Sequence, residues 1–324
     1  MVMSGVLTSE QLIRSIKRRA MLPSDENTFT DEDYLEMLNE ELQYFGVPHL
    51  LRTHEEYLLV FQDFALDGSQ RYEIPYRALG NKLRDLSYVS GVDSNSEQIS
   101  ELSRISVDEL SDYGNYNTST YAQSFYLESN NIVILGEVPT ANTALRMHYY
   151  LRPNAFVLEA RTGVIQSIDN VSGVITVEKF PDAFSNSPDM DFIKHRSPNV
   201  ILKFDKTPTA VDSVTRTVTF DPTDLPTNLI VGDYLNVAQE TLVPQLPVEL
   251  HAILAQRVAI AALEALGDQE GLASAQKRLD MMEKSSNDII DNRVEGSPEK
   301  ISNRHGTLRQ ALLNSSGYRR RGGS

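Results

Sequence analysis

Asp189 and Asp191 stand one residue apart and shortly before His195, the grouping in this chain best suited to chemistry. Two carboxylates on a loop can bind a hard cation, and a hydrolytic or carbohydrate-active site could use all three groups. The Ser and Pro residues around them make an exposed turn the simpler account. His49 and His54, with Glu55 and Glu56 nearby, form a weaker metal pattern, since two histidines five apart in a loop-to-helix segment are a poor ligand set. The other histidines, His148, His251 and His305, complete no H-E-x-x-H run. No G-x-x-x-x-G-K-[ST] loop and no strand–Gly-rich turn–helix fingerprint is present. No nucleophile stands beside a base. The sequence is therefore read as non-enzymatic, with no catalytic residue, cofactor or metal.

Two other clusters have bland and sharp readings. Gly114, Tyr116, Tyr121, Phe125 and Tyr126 could stack on bases or sugars, but Lys and Arg are not interleaved, so packing on a core or another chain is expected. Arg71, Arg77, Lys82 and Arg84 read as a salt-bridged surface, or more sharply as an interface or a local phosphate contact.

Charge narrows the partners. The 324 residues carry a net charge of −15, against general nucleic-acid binding. From Arg293 to Ser324 there are seven Arg or Lys and two Glu, a net of +5, so the rest of the chain carries −20. A short basic arm on an acidic body could dock an acidic partner or touch phosphates, the plainer reading being a solvated, disordered terminus. The chain has no cysteine, which excludes disulfides, thiolate metal sites and a cysteine nucleophile. No signal-peptide pattern is visible, and no apolar run reaches the roughly 18 residues of a membrane span. A hydrophobic content of 40% is enough for a core.

The elements that must position these groups change period twice. Thr8 with Gln11 predicts a capped helix through Leu12, Ile13 and Ile16. Thr30, followed by Asp31, Glu32 and Asp33, predicts a second through Leu35, Leu38, Leu42 and Phe45, stopped by Gly46 and Pro48. Thr53 with Glu56 predicts a third through Tyr57, Leu58, Val60, Phe61 and Phe64. Short β patterns follow: Tyr72 to Pro75, a hairpin across Asn130-Asn131, Leu145 to Leu151, Val164 to Ile168, Val174 to Val177, Val200 to Phe204, Val214 to Phe220 and Tyr234 to Val237. After Pro244 and Pro247 an alanine-rich stripe through Leu250, Leu254 and Val258 predicts a helix. Gly267-Asp268 then turns it into an αα-hairpin, with one bent helix as the alternative. The expected fold class is α+β: a discontinuous helical bundle from both termini, a large β-rich middle insertion and an extended C-terminal arm. The boundaries are 1–66 for the N-terminal bundle part, 67–243 for the insertion, 244–293 for the C-terminal helices and 294–324 for the basic arm.

In this order the features resemble tailed-phage head-to-tail connector (adaptor or neck) proteins. The strings that carry the resemblance are Arg19-Ala20-Met21-Leu22-Pro23, Leu38-Asn39-Glu40-Glu41-Leu42, Tyr72-Glu73-Ile74-Pro75-Tyr76-Arg77-Ala78-Leu79-Gly80, Tyr149-Tyr150-Leu151-Arg152-Pro153-Asn154, Val231-Gly232-Asp233-Tyr234 and Gln245-Leu246-Pro247-Val248-Glu249-Leu250. They span nearly the whole length, and none is a biochemical signature. The resemblance implies a ring of about twelve copies beneath the portal protein, at the virion neck, assembled in the host cytoplasm. It implies tail or nozzle proteins as further partners, and double-stranded DNA passing through without specific binding. Leu35, Leu38, Leu42, Leu254 and Val258 would pack the bundle. Arg293, Arg304, Arg309, Arg319, Arg320 and Arg321 would reach the portal. The alternatives are another neck, tail-terminator or baseplate component, and the hydrolytic enzyme built on Asp189, Asp191 and His195.

Overall fold

The computed structural model describes residues 6–22, 28–53, 55–90, 97–110, 124–136, 138–139, 143–195 and 201–290, the last four of these by backbone alone. Gly114, Tyr116 and Tyr121 of the aromatic cluster, His54 and the arm from Arg293 lie outside the described residues.

Helix α1 (Ser9–Arg19) opens on a capping box, in which Gln11 N donates to Thr8 Oγ1 and Thr8 N to Gln11 Oε1. Helix α2 (Asp31–Glu41) repeats the device with Thr30 and Asp33, whose carboxyl is held below its usual range by the Thr30 N–H and hydroxyl. Gly46 and Pro48 do not stop the chain. It widens into a π-helical turn, Leu42–Gly46, and continues as α3 (Val47–Thr53). Gly46 fits because a Cβ there would meet Leu246 at 3.3 Å.

The third predicted helix is corrected to a strand, β1 (Leu59–Ala65). The apolar residues of this segment satisfy a helical period and a strand period alike. All seven residues pair with β8 (Thr143–Leu151), with Val60 and Phe64 turned to the core, and that long-range partner decides.

Strands β2 (Arg71–Glu73), β3 (Ala78–Ser90), β4 (Gln98–Glu101), β5 (Ser103–Arg104), β6 (Ser124–Glu128) and β7 (Asn131–Leu135) lie between β1 and β8. One four-stranded sheet has the order β1-β8-β3-β4 and a second β2-β7-β6-β5. They close on a shared core that includes Leu86, Phe125, Ile132, Ile134, Leu145 and Met147. Beyond β8 come β9 (Ala155–Phe156), β10 (Gly163–Asp169), β11 (Val174–Val177), β12 (Met190–Ile193), β13 (Ile201–Lys206), β14 (Ala210–Asp212), β15 (Thr217–Thr219), β16 (Tyr234–Val237) and β17 (Glu240–Thr241). A seven-stranded sheet, β13-β12-β16-β10-β11-β15-β14, holds its own core around Phe184, Phe192, Val218 and Phe220. Strands β17 and β9 form a short parallel pair. Val214, expected in a strand, sits on the exposed turn before β15.

Helix α4 (Val248–Leu266) reverses at Gly267 into α5 (Gln269–Ile290). Leu12, Ile16, Leu38, Leu250, Leu254 and Val258 share one core with Phe156 of β9. The fold-class expectation is nonetheless overturned. Among the described residues seventeen strands in four sheets run from Leu59 to Thr241 and form the body. The helices are a layer against that body, not a bundle into which strands were inserted. The β patterning is denser than expected because β3, β4, β5, β9, β12, β14 and β17 are also strands.

Asn39 on α2 joins the two layers. Phe156 N donates to Asn39 Oδ1 at 2.7 Å, and Asn39 Nδ2 donates back to Phe156 O at 3.5 Å. The amide thus occupies the edge of β9 as another strand would. Asn39→Ala should lower stability by about 2 kcal/mol in urea unfolding, because Phe156 N–H loses its partner.

Two glycines with positive φ make different demands. Gly267 (φ 73°) caps α4 in open space, so Gly267→Ala should cost only the left-handed backbone, about 1 kcal/mol. Gly173 (φ 73°) has the Phe220 carbonyl oxygen 2.1 Å from where a Cβ would lie. Gly173→Ala should cost about 2 kcal/mol by the same measurement, because backbone must move as well.

Candidate functional site: a buried polar joint beneath a groove

Arg77 lies in the turn before β3, where Ala78 N donates to Pro75 O. It was expected on a surface, yet it is 1% exposed. Its guanidinium reaches three elements distant in sequence. Nη1 and Nη2 each donate to Asp191 Oδ2 at 3.2 Å, Nη1 also to Asp205 Oδ1 at 2.8 Å, and Nη2 to Asn154 Oδ1 at 2.6 Å. Arg77 O accepts from Arg152 N, and the ring of Phe204 lies 5.4 Å from the guanidinium carbon.

Asp191 corrects the exposed-turn reading of the Asp189-Met190-Asp191 run. It is fully buried in β12, between Met190 and Phe192 of the second β core. Besides Arg77 its oxygens accept from Asn154 Nδ2 (2.7 Å), Asp205 N (2.9 Å) and Gln239 N (3.1 Å). Asp205 gets there through irregular backbone. The β12–β13 register shifts between Met190 and Phe192, and Asp205 takes φ 53°, a bulge that turns its carboxylate inward. Burial lowers the affinity of the Arg77 guanidinium for its proton, but Asp191 and Asp205 outweigh that and raise its pKa. The charge stays.

Asn154 extends the joint, since its N–H donates to Gln245 Oε1 at 2.7 Å just before α4. The first β core, the second β core and the approach to the helical layer therefore meet at one guanidinium. Asp191 has donors on both oxygens, so its place in the joint is to hold parts together.

Asn154 and Gln239 also form the floor of a groove of about 570 Å³. Leu42, Tyr44 and Val47 from the π-helical turn and α3 make one wall, Leu79 and Arg152 another. Tyr44 is 81% exposed. Arg257 steadies the π-helical turn from α4: it donates to Glu41 and Glu283 and stacks 4.4 Å from the Phe45 ring.

The other residues singled out in the sequence do not converge. Asp189 accepts from Thr207 Oγ1. His195 stands apart from Asp191, with Nδ1 2.7 Å from buried Asp233, whose other oxygen accepts from Ile230 N. His49 stacks on Phe45 in α3. Arg84 is exposed and pairs with Glu55. Leu35, Leu38, Leu42, Leu254 and Val258 are all buried in the helical layer. Arg293, Arg304, Arg309, Arg319, Arg320 and Arg321 lie outside the described residues. Among the described residues no three His, Cys, Asp or Glu side chains gather as a metal site, and no helix is long and apolar enough to cross a membrane.

Sequence reasoning singled out Arg77 but placed it on a surface, and it did not single out Asn154, Asp205 or Gln245. One signal was available: Arg77 is flanked by Ile74, Pro75, Ala78 and Leu79, an apolar setting unusual for a surface arginine. No family model matches the chain, and no curated protein is similar to it.

Proposed function

We propose that this chain is a structural protein of the tailed-phage neck: a subunit of a ring of about twelve copies that joins the portal to the tail and lets DNA pass. The observation that carries this reading is the Arg77 joint. It ties the separately cored layers into one stiff body, the property required of a subunit that transmits load along a particle axis. The acidic exterior supports it further. Outside the terminal basic segment the chain carries −20, and Glu32, Glu36 and Glu40 line the exposed side of α2 at successive turns. Such a surface disfavours phosphate binding and suits a channel through which DNA slides. The role is mechanical rather than catalytic. Its site of action is the virion neck, after assembly in the host cytoplasm, with portal and tail proteins as neighbours.

Two-dimensional averaging of purified particles, with and without the portal, tests the reading. Closed rings seated coaxially on the portal are expected, and a monomer indifferent to the portal overturns it. The basic segment is assigned the portal contact. Deleting residues 293–324 should leave the body folded, with an unchanged urea midpoint, and weaken co-sedimentation with the portal; unchanged co-sedimentation removes that assignment.

A further inference from the structure

The sheet β1-β8-β3-β4 has two open edges, and they are complementary. Leu151 N donates to Leu58 O just before β1, so the alternation of an antiparallel ladder turns Val60, Gln62 and Phe64 toward β8. Leu59, Phe61, Asp63 and Ala65 then direct their N–H and C=O groups away from the sheet. At the opposite edge Leu102 N donates to Leu86 O, which leaves Ile99 and Glu101 of β4 directed outward in the same way. Among the described residues no strand pairs with either edge.

The exposed apolar side chains coincide with those outward groups. Phe61 is 55% exposed and Ile99 59%. They stand on one face of the sheet, because the row Ala65–Ala144–Val89–Ile99 crosses it and Phe61 lies four residues before Ala65. β1 has few of the devices that protect an edge: its one charge, Asp63, is paired with Arg146, and it has no Pro, Lys, Arg or Gly and no register shift over its seven residues. Each neighbouring pair in the sheet is antiparallel, so β4 runs opposite to β1. A second copy's β1 laid along β4 would continue the antiparallel order with the same face outward.

We infer that β4 of one copy pairs with β1 of the next, a head-to-tail contact that makes the sheet continuous between subunits. The contact rests on the ring reading above and specifies how the ring closes. It is heterologous, so each added copy leaves one edge of each kind open until rotation closes the circle. The register sets Phe61 opposite Ile99 and Leu59 opposite Glu101, which joins the two exposed apolar side chains. It also brings Asp63 toward Glu97, and within its own copy each of these carboxylates is already paired with Arg146.

The absence of cysteine gives a clean test. The full chain carrying Phe61→Cys with Ile99→Cys, and separately Leu59→Cys with Glu101→Cys, is oxidised and run on denaturing gels without reductant. Opposed strand residues are within disulfide reach, whereas within one copy the two edges are separated by two strands and are not. A ladder of covalent dimers, trimers and higher species from either double variant is expected. Covalent dimers from Phe61→Cys alone would show two-fold β1–β1 pairing and overturn the inference. Closed rings by averaging without a ladder from either double variant overturn it too, while leaving the ring intact. Neither rings nor a ladder would end both readings.

Discussion

Arg77→Met is expected to lower unfolding stability by about 3–5 kcal/mol, the usual cost of removing one partner from a buried ion pair. The arginine is 1% exposed and Asp191 fully buried, so no water replaces the lost guanidinium. Asp191 would keep its bonds from Asn154, Asp205 N and Gln239 N, which hold its charge in place without neutralising it. Asp205 would lose its 2.8 Å partner as well. Arg77→Lys should recover only part of the loss, because an ammonium cannot spread planar donors over Asp191, Asp205 and Asn154 at once. Arg84→Met is the control. Its bond to Glu55 lies in solvent, and the expected change is within about 1 kcal/mol. Urea unfolding of the three variants decides the matter. If the joint couples the two β cores, the Arg77→Met transition should also broaden, since the cores would no longer unfold together. A Met variant as stable as the Arg84 control would mean that the layers are held elsewhere.

The sequence was most legible where local chemistry decides structure. Thr8 with Gln11, Thr30 with Asp33, and Gly267 announce helix ends through interactions within a few residues, and the helices begin and end there. The turn near Asn130-Asn131 was legible for the same reason. It was least legible where a distant partner decides. Leu59 to Ala65 fits two periods, and only β8, some 85 positions along by its register, selects the strand. The same dependence hid Arg77. Its partners are 114 and 128 residues away at Asp191 and Asp205, and the inward turn of Asp205 depends on a bulge that no residue type announces. The error in fold class has this origin as well. Helical signals at the two ends are strong and local, whereas the strands between them are short, and their pairing into four sheets is non-local.

His251 should make the protein lose stability between about pH 6.5 and pH 4. The imidazole is buried at the start of α4, where Leu7 N donates to Nδ1 at 3.4 Å and Nε2 faces Leu246 O at 3.1 Å. With an N–H pointing at Nδ1, the ring hydrogen belongs on Nε2, and the neutral ring satisfies both neighbours. A second proton would have to enter on Nδ1, opposite another donor, and would bring a charge into the core. Burial pulls the pKa from 6.5 down to about 4, against the opposing influence of the Leu246 carbonyl and Glu249. Above pH 6.5 the group is neutral in both folded and unfolded chains. As pH falls through the window, the unfolded chain takes up a proton that the folded one refuses, so stability drops, and the loss levels off below about pH 4 at roughly 3 kcal/mol. His251→Gln can accept from one backbone neighbour and donate to the other, yet it does not titrate. Its urea midpoint should start lower at pH 7 and fall less steeply toward pH 4.5 than that of the parent. Parallel midpoint curves would place the acid sensitivity elsewhere. A converging pair would show that the N-terminal segment before α1 is fastened to α4 through an uncharged imidazole.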